Sequence, residues 1–167
     1  MGCLNHILTG TMSSRIFGAA RKKGLAYGVF SDTSVGFFDT AWDFGGQVNL
    51  ETAEDLFSII VRELKKVLDG AIDPEDIENA KSYGLGRYQM GAQTVGQISG
   101  FYTGRYFADD IVKNYDGVPA EILAVSQEQI VETARQFFAA NTWVLAGVSC
   151  GDRELLLKLQ DKLETLF

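Results

Sequence analysis

Between residues 37 and 45 the chain alternates, with Phe38, Thr40, Trp42 and Phe44 on one face and Asp39 and Asp43 on the other. A period of two with one apolar and one acidic face predicts a strand of an antiparallel sheet, packed on one side and wetted on the other. Leu25 to Ser31 reads as its hairpin partner, with the polar turn Asp32-Thr33-Ser34 before Val35 and Gly36. Such a sheet needs helices against its apolar face, and the rest of the chain offers them.

Ser13 or Ser14 caps a helix running to about Lys23, with Ile16, Phe17 and Ala20 sharing its buried face and Gly24 as its stop. Leu56, Ile59, Ile60, Leu64, Val67 and Leu68 form an apolar stripe on a helix over about 52–69, stopped by Gly70. Asp73 before Pro74 marks a third helix start. Thr94 with Gln97 and Ser126 with Gln129 both match the reciprocal capping box. Trp143 to Ser149 reads as a short apolar strand, central or buried on both faces, and a last amphipathic helix covers about 153–166. The order is helix, hairpin, helices, strand, helix, which predicts a single α+β domain over 1–167: an antiparallel sheet with helices packed on one face. Leu4 to Leu8 reads as the tail of a helix with no strand ahead of it. Three strands are few for six or so helices, so an N-terminal strand is expected to be missing and the chain to be a fragment or half of a longer one.

Composition removes several functions. The 167 residues include 22 acids and 15 bases, for a net charge of −7, and 46% are hydrophobic. The apolar content argues against disorder, and the acidic balance against a nucleic-acid partner, since phosphate-neutralising charge is lacking. No apolar run is long enough for a membrane span, so no membrane partner is expected. The charge is uneven: residues 1–31 carry Arg15, Arg21, Lys22 and Lys23 and no acid. That basic segment reads either as a solvated helix surface or as a face directed at something anionic or polar.

Cys3 and Cys150 are the only cysteines and His6 the only histidine. No disulfide framework or Cys-x-x-Cys site follows, and one histidine does not anchor the usual zinc ligand set. Met1-Gly2-Cys3 resembles an acylation start, but His6 stands where Ser or Thr is required. Residues 1–20 have no basic stretch ahead of an apolar one, so no signal peptide is expected and the expected compartment is the cytoplasm. Gly84-Leu85-Gly86 lacks the third glycine of a dinucleotide fingerprint because Gln89 occupies it. Gly86 to Gly91 has phosphate-loop spacing but is followed by Ala92-Gln93. The row Gly96, Gly100, Gly104 is read as a close-packing helix face in the core.

One segment carries more. Leu4-Asn5-His6-Ile7-Leu8-Thr9-Gly10-Thr11-Met12-Ser13-Ser14-Arg15-Ile16-Phe17, then Arg21 and Gly24-Leu25-Ala26-Tyr27-Gly28-Val29, resembles the second-domain signature of the pitrilysin/insulinase/mitochondrial-processing-peptidase family of zinc peptidases. The run Asp73 to Lys81, the helix pattern from Val125 to Phe138, and Val144-Leu145-Ala146-Gly147-Val148 are similar to later parts of the family pattern.

The resemblance implies a metallopeptidase-half fold, LuxS/processing-peptidase-like, in which paired α+β domains face each other across a chamber. One half carries an inverted His-x-x-Glu-His zinc motif. This chain has no such motif, so it resembles the non-catalytic half: no metal ligands and no catalytic residues of its own, zinc in the catalytic half, and that half as its partner with a peptide as substrate. It is expected to be inactive alone. Carried over by position, Arg21 and Tyr27 reach the reacting centre and hydrogen-bond the substrate carbonyl and the oxyanion that develops on attack. Six residues separate them here where the family usually has seven, so Lys22 is the alternative to Arg21. The alternative for Tyr27 is a strand tyrosine packed beside Val29, and Arg15 is expected to hold the turn. The acidic net charge favours basic or neutral peptides. The alternative for the whole chain is a catalytically inert scaffold of the same family.

Overall fold

Two glycines with positive φ set the punctuation of the first half. The structure is a computed structural model that describes residues 1–167 except 37, 111, 113, 141 and 150–152, and at 108 and 109 the backbone only. A short helix α1 (Gly2–Asn5) runs into a π-helical turn (His6–Gly10), followed by α2 (Arg15–Lys22). Gly24, at φ 65°, closes α2: its N–H donates to Arg21 O and that of Leu25 to Ala20 O, each at 3.0 Å. Gly70, at φ 78°, ends α3 (Ala53–Leu68) in the same way, through Val67 O and Lys66 O. Both are Schellman closures, in which glycine takes the left-handed position without a Cβ clash.

Between these helices lies the hairpin, β1 (Ala26–Val35) and β2 (Thr40–Val48), an antiparallel pair. Its register puts Val29, Ser31 and Thr33 opposite Gly46, Phe44 and Trp42 on the face toward the helices. Phe30, Asp32 and Ser34 oppose Gly45, Asp43 and Ala41 on the open face. The expected turn at Asp32-Thr33-Ser34 is therefore corrected. Those residues are paired inside β1, and the chain turns at 36–39, where Gly36 N–H donates to Asp39 O. Asp32 and Ser34 can stay in the strand because their face is solvated, with Ser34 Oγ donating to Asp43 Oδ2 at 2.8 Å, while Thr33 on the helix-facing side accepts a hydrogen bond from Asn5 Nδ2. The apolar alternation consequently starts later than expected: Phe38, at the tip, is fully exposed. The expected start of this strand at 37 lies outside the described residues.

The helices α4 (Pro74–Met90), α5 (Val95–Asp109), α6 (Val118–Ala124), α7 (Gln127–Ala139) and α8 (Arg153–Glu164) follow. Both capping boxes form. The core gathers Leu4 and Leu8, Ile16 and Ala20 of α2, Val29 of β1, the α3 stripe, and Ile130 and Ala134 of α7. The fold is α+β, an antiparallel sheet with helices packed on one face, as the sequence predicts.

Two further expectations are corrected. Residues 142–148 form no strand, and the sheet among the described residues has two strands. Val144 and Val148 are exposed, while Trp143 stacks on Phe167 at 5.7 Å. The run is apolar along its length, but a strand also needs a neighbouring backbone to pair with, and a local pattern does not supply one. The glycine row of α5 is the second: a Cβ at Gly100 or Gly104 would meet nothing within 4 Å. This helix is anchored instead through its aromatic side, where Phe101 meets Tyr115 at 4.8 Å and Tyr102 Oη accepts from Tyr115 N–H.

Candidate functional site

The polar residues of the signature segment are engaged in holding the fold together. Asn5 bridges helix and hairpin: its Nδ2 donates to Thr33 Oγ1 at 3.1 Å and its Oδ1 accepts from Trp42 Nε1 at 2.7 Å. Thr9 Oγ1 accepts from Ser31 N–H at 2.8 Å and lies at the same distance from Ser31 Oγ. Buried Ser14 donates to His6 O and accepts from Thr11 N–H, each at 2.8 Å, fixing the loop before α2. Arg15, with a side chain 11% exposed, donates to Asp76 Oδ2 at 2.6 Å, Ala71 O at 2.8 Å and Asp73 Oδ2 at 3.1 Å. The expectation that Arg15 is structural fits this geometry, because all three contacts lie in the α3–α4 connection and the start of α4. A planar guanidinium suits such a three-way fork.

That scaffold aims the end of α2 and the start of β1. Arg21, Lys22 and Lys23 stand exposed at the α2 C-terminus, where cations complement the helix dipole. Among the described residues no hydrogen bond or ion pair engages their side chains. Four residues after Lys23, the hairpin register slips: Ala26 pairs with Val48 and Gly28 with Gln47, leaving Tyr27 as the extra residue of a β-bulge. A bulge turns consecutive side chains to one side of the sheet. Without it Tyr27 and Val29 share a face; with it Val29 is buried and Tyr27 is 90% exposed. Tyr27 therefore does not pack beside Val29. Its ring and hydroxyl stand at the head of the open sheet face, next in sequence to the basic helix end.

His6 is a different environment. Its ring stacks on Tyr83 at 4.2 Å, its Nδ1 is buried without a hydrogen-bond partner, and burial pushes its pKa down. A Cβ on Gly10 would lie 2.6 Å from Nδ1, so the π-helical turn closes directly over the ring. Among the described residues no three His, Cys, Asp or Glu side chains come together as a metal site. Cys150 lies outside the described residues. Sequence reading missed two features: the scaffold roles of Asn5 and Thr9, and the direct opposition of Asp32 and Asp43 across the hairpin. The latter is visible only once the turn is placed at 36–39.

Residues 1–83 match the family model described as the Peptidase M16 inactive domain. An uncharacterized zinc protease of Streptomyces coelicolor, SCO5738, is 36% identical over 101 residues, which is 59% of this chain and 22% of that protein. The chain thus spans about a fifth of this curated relative. Among solved structures, a protease from Helicobacter pylori aligns with a TM-score of 0.67 at 21% identity, over 81% of this chain and 33% of that one. The inactive peptidase domain of a protein described as a zinc protease, from Bordetella parapertussis, aligns with a TM-score of 0.67 at 18% identity, over 80% of this chain and 73% of that one. These two structural likenesses speak to the fold.

Proposed function

We propose that this chain, which belongs to the M16 family of zinc peptidases as an inactive-type domain, is the substrate-binding half of a two-half zinc metalloendopeptidase. Its partner on this reading is a catalytic half, in the same longer chain or as a separate subunit, and residues 1–167 are one domain of that assembly. Zinc belongs to the other half, where it supplies the Lewis acidity for peptide hydrolysis. This chain contributes donors. The Tyr27 hydroxyl donates a hydrogen bond to the oxyanion that develops on the attacked carbonyl, and the Arg21 guanidinium, or Lys22, holds the substrate carbonyl. Preorganised donors at developing charge stabilise a transition state more than the ground state. The proposed compartment is the cytoplasm; no helix among the described residues is long and apolar enough to cross a membrane.

The observation that carries this reading is the bulge. It exposes an aromatic hydroxyl at the head of an uncovered sheet face, although strand alternation alone would put Tyr27 on the side of Val29. A peptidase assay of this chain mixed with its catalytic half tests it: the chain alone is inert, the mixture hydrolyses peptide, and Tyr27→Phe lowers kcat about 10²-fold. Unchanged kcat in that variant removes Tyr27 from the reaction. A second reading, an inert scaffold of the same family, draws on the six-residue spacing from Arg21 to Tyr27. It predicts no hydrolysis in the mixture.

A further inference from the structure

The five-residue turn His6–Gly10 packs against α1, α2, α4 and β1, and the side chain at its first position closes it from within. A π-helical turn is rare and is found mostly as a single turn at functional positions. Outward, this one fastens the hairpin. Asn5, just before it, bonds Thr33 Oγ1 and the Trp42 indole, and Thr9 within it accepts from Ser31 N–H at 2.8 Å. Inward, the His6 ring lies between Tyr83 of α4, stacked at 4.2 Å and 21°, and Gly10, where a Cβ would sit 2.6 Å from Nδ1. Ring, lid and hairpin anchor are thus parts of one turn, and Ser14 Oγ ties its first carbonyl to the loop before α2.

The space accepts a neutral ring and offers nothing to a charged one. Nδ1 is buried without a hydrogen-bond partner, and among the described residues no hydrogen bond or ion pair engages the ring. The elements around the turn supply no counter-charge. α1 brings the Cys3 thiol and no carboxylate. α2 brings Arg15, which occupies Asp73 and Asp76, and Arg21 and Lys22 at its exposed far end. α4 brings Tyr83 itself, exposed Glu75 and Arg87, and Glu78 paired with Lys81 at 3.0 Å. β1 brings Tyr27 at its exposed bulge and Asp32 on the open face, away from the helices. Protonation makes both ring nitrogens donors, and the one facing Gly10 has no acceptor. A charge buried without partners is unfavourable, and burial accordingly pushes the His6 pKa down.

We propose that His6 is an acid-operated latch: protonation expels its ring from between Gly10 and Tyr83, and the turn then releases the hairpin that carries Tyr27. The ring does not leave alone, because Gly10 lies over Nδ1 and Thr9, the residue before Gly10, holds Ser31. The sign follows from linkage. In the open form the ring titrates near its ordinary value of about 6.5, and in the closed form it takes a proton only at lower pH. Opening therefore increases as pH falls below about 6.5, by at most about tenfold per pH unit, and levels off once the closed form is itself protonated. Near neutral pH the latch is shut. It stands on the packing of the turn; its consequence, weaker peptide hydrolysis in acid, rests on the proposed role of Tyr27.

The test is NMR hydrogen exchange on the 167-residue chain, with protection factors that remove the intrinsic pH dependence of exchange, from about pH 7.5 to about pH 5. The Ser31 N–H and the Trp42 indole N–H report the latch, because they bond Thr9 Oγ1 and Asn5 Oδ1. On acidification both lose protection together, about fivefold, while Ile60 and Val67 of α3 keep theirs. His6→Phe retains an aromatic ring against Tyr83 and abolishes the response. Gly10→Ala displaces the His6 ring without acid, so Ser31 and the Trp42 indole are already deprotected near neutral pH. The Gly10 variant and the unsubstituted chain decide the matter even where His6→Phe does not fold. Unchanged protection at Ser31 and Trp42 in acid, a response that persists in His6→Phe, native protection in Gly10→Ala, or a parallel loss in α3 overturns the latch. No catalytic half is present, so the two readings fail separately. A working latch beside hydrolysis indifferent to Tyr27→Phe overturns the peptidase role, and Tyr27-dependent hydrolysis without the acid response overturns the latch.

Discussion

Replacing Arg15 by alanine removes the fork that ties the start of α2 to the α3–α4 connection. Three bonds are lost, and they are unequal. The one to Asp76 is short and its carboxylate is one-third exposed, so it falls in the range of about 1.5–3 kcal/mol for a charge-assisted bond. The one to Asp73 ends on a carboxylate 82% exposed, and water and salt reduce it to roughly 0–1 kcal/mol. The one to Ala71 O contributes about 1 kcal/mol. Water recovers part of this once the guanidinium is gone, leaving a net loss of about 2–3 kcal/mol, or about 5–10 °C in Tm for a domain of this size. Urea denaturation measures it. Arg15→Lys recovers less than half, because one ammonium does not span all three acceptors. A double-mutant cycle with Asp76→Asn returns a coupling of about 1–2 kcal/mol. A loss under about 0.5 kcal/mol for Arg15→Ala, or a coupling near zero, refutes the assignment of this arginine to the scaffold.

Gly24→Ala forces a Cβ into the left-handed position at φ 65° and costs about 1 kcal/mol in the same denaturation assay. His6 gives a pH dependence with a defined sign. Its folded pKa lies below the usual imidazole value of about 6.5, so the unfolded chain binds the extra proton first. The stabilising contribution is complete above that value and is lost as pH falls through the folded pKa. His6→Phe removes this component of the stability–pH curve. Hydrogen exchange across 142–148 is fast relative to β1, since these amides lie outside any ladder; protection equal to that of Val29 contradicts the unpaired description.

Much of the scaffold was legible because its signals are local. The α3 stripe, both capping boxes, the glycine stops at 24 and 70 and the one-sided hairpin each follow from residues within a few positions of one another. The failures share a physical origin. Residues 142–148 have the composition of a strand, but pairing depends on a backbone that the local pattern does not contain. Gly96, Gly100 and Gly104 have the spacing of a helix seam, but whether a partner helix reaches them is decided by the packing of Phe101 and Tyr102 elsewhere on α5. At the site the resemblance picked out Tyr27 and Arg21, while the alternation rule alone favoured burial of Tyr27 beside Val29. A one-residue slip at Ala26/Gly28 reverses that, and register is a property of the pair of strands rather than of either sequence. The same dependence hid the Asp32–Asp43 opposition behind a misplaced turn.

The most direct measurement is kcat for peptide hydrolysis by this chain combined with its catalytic half, comparing Tyr27 with Tyr27→Phe at matched thermal stability. The account predicts no hydrolysis by the chain alone, hydrolysis in the mixture, and a loss of about 10²-fold in kcat with KM little changed for the variant. Full activity of Tyr27→Phe, or hydrolysis by the isolated chain, contradicts it.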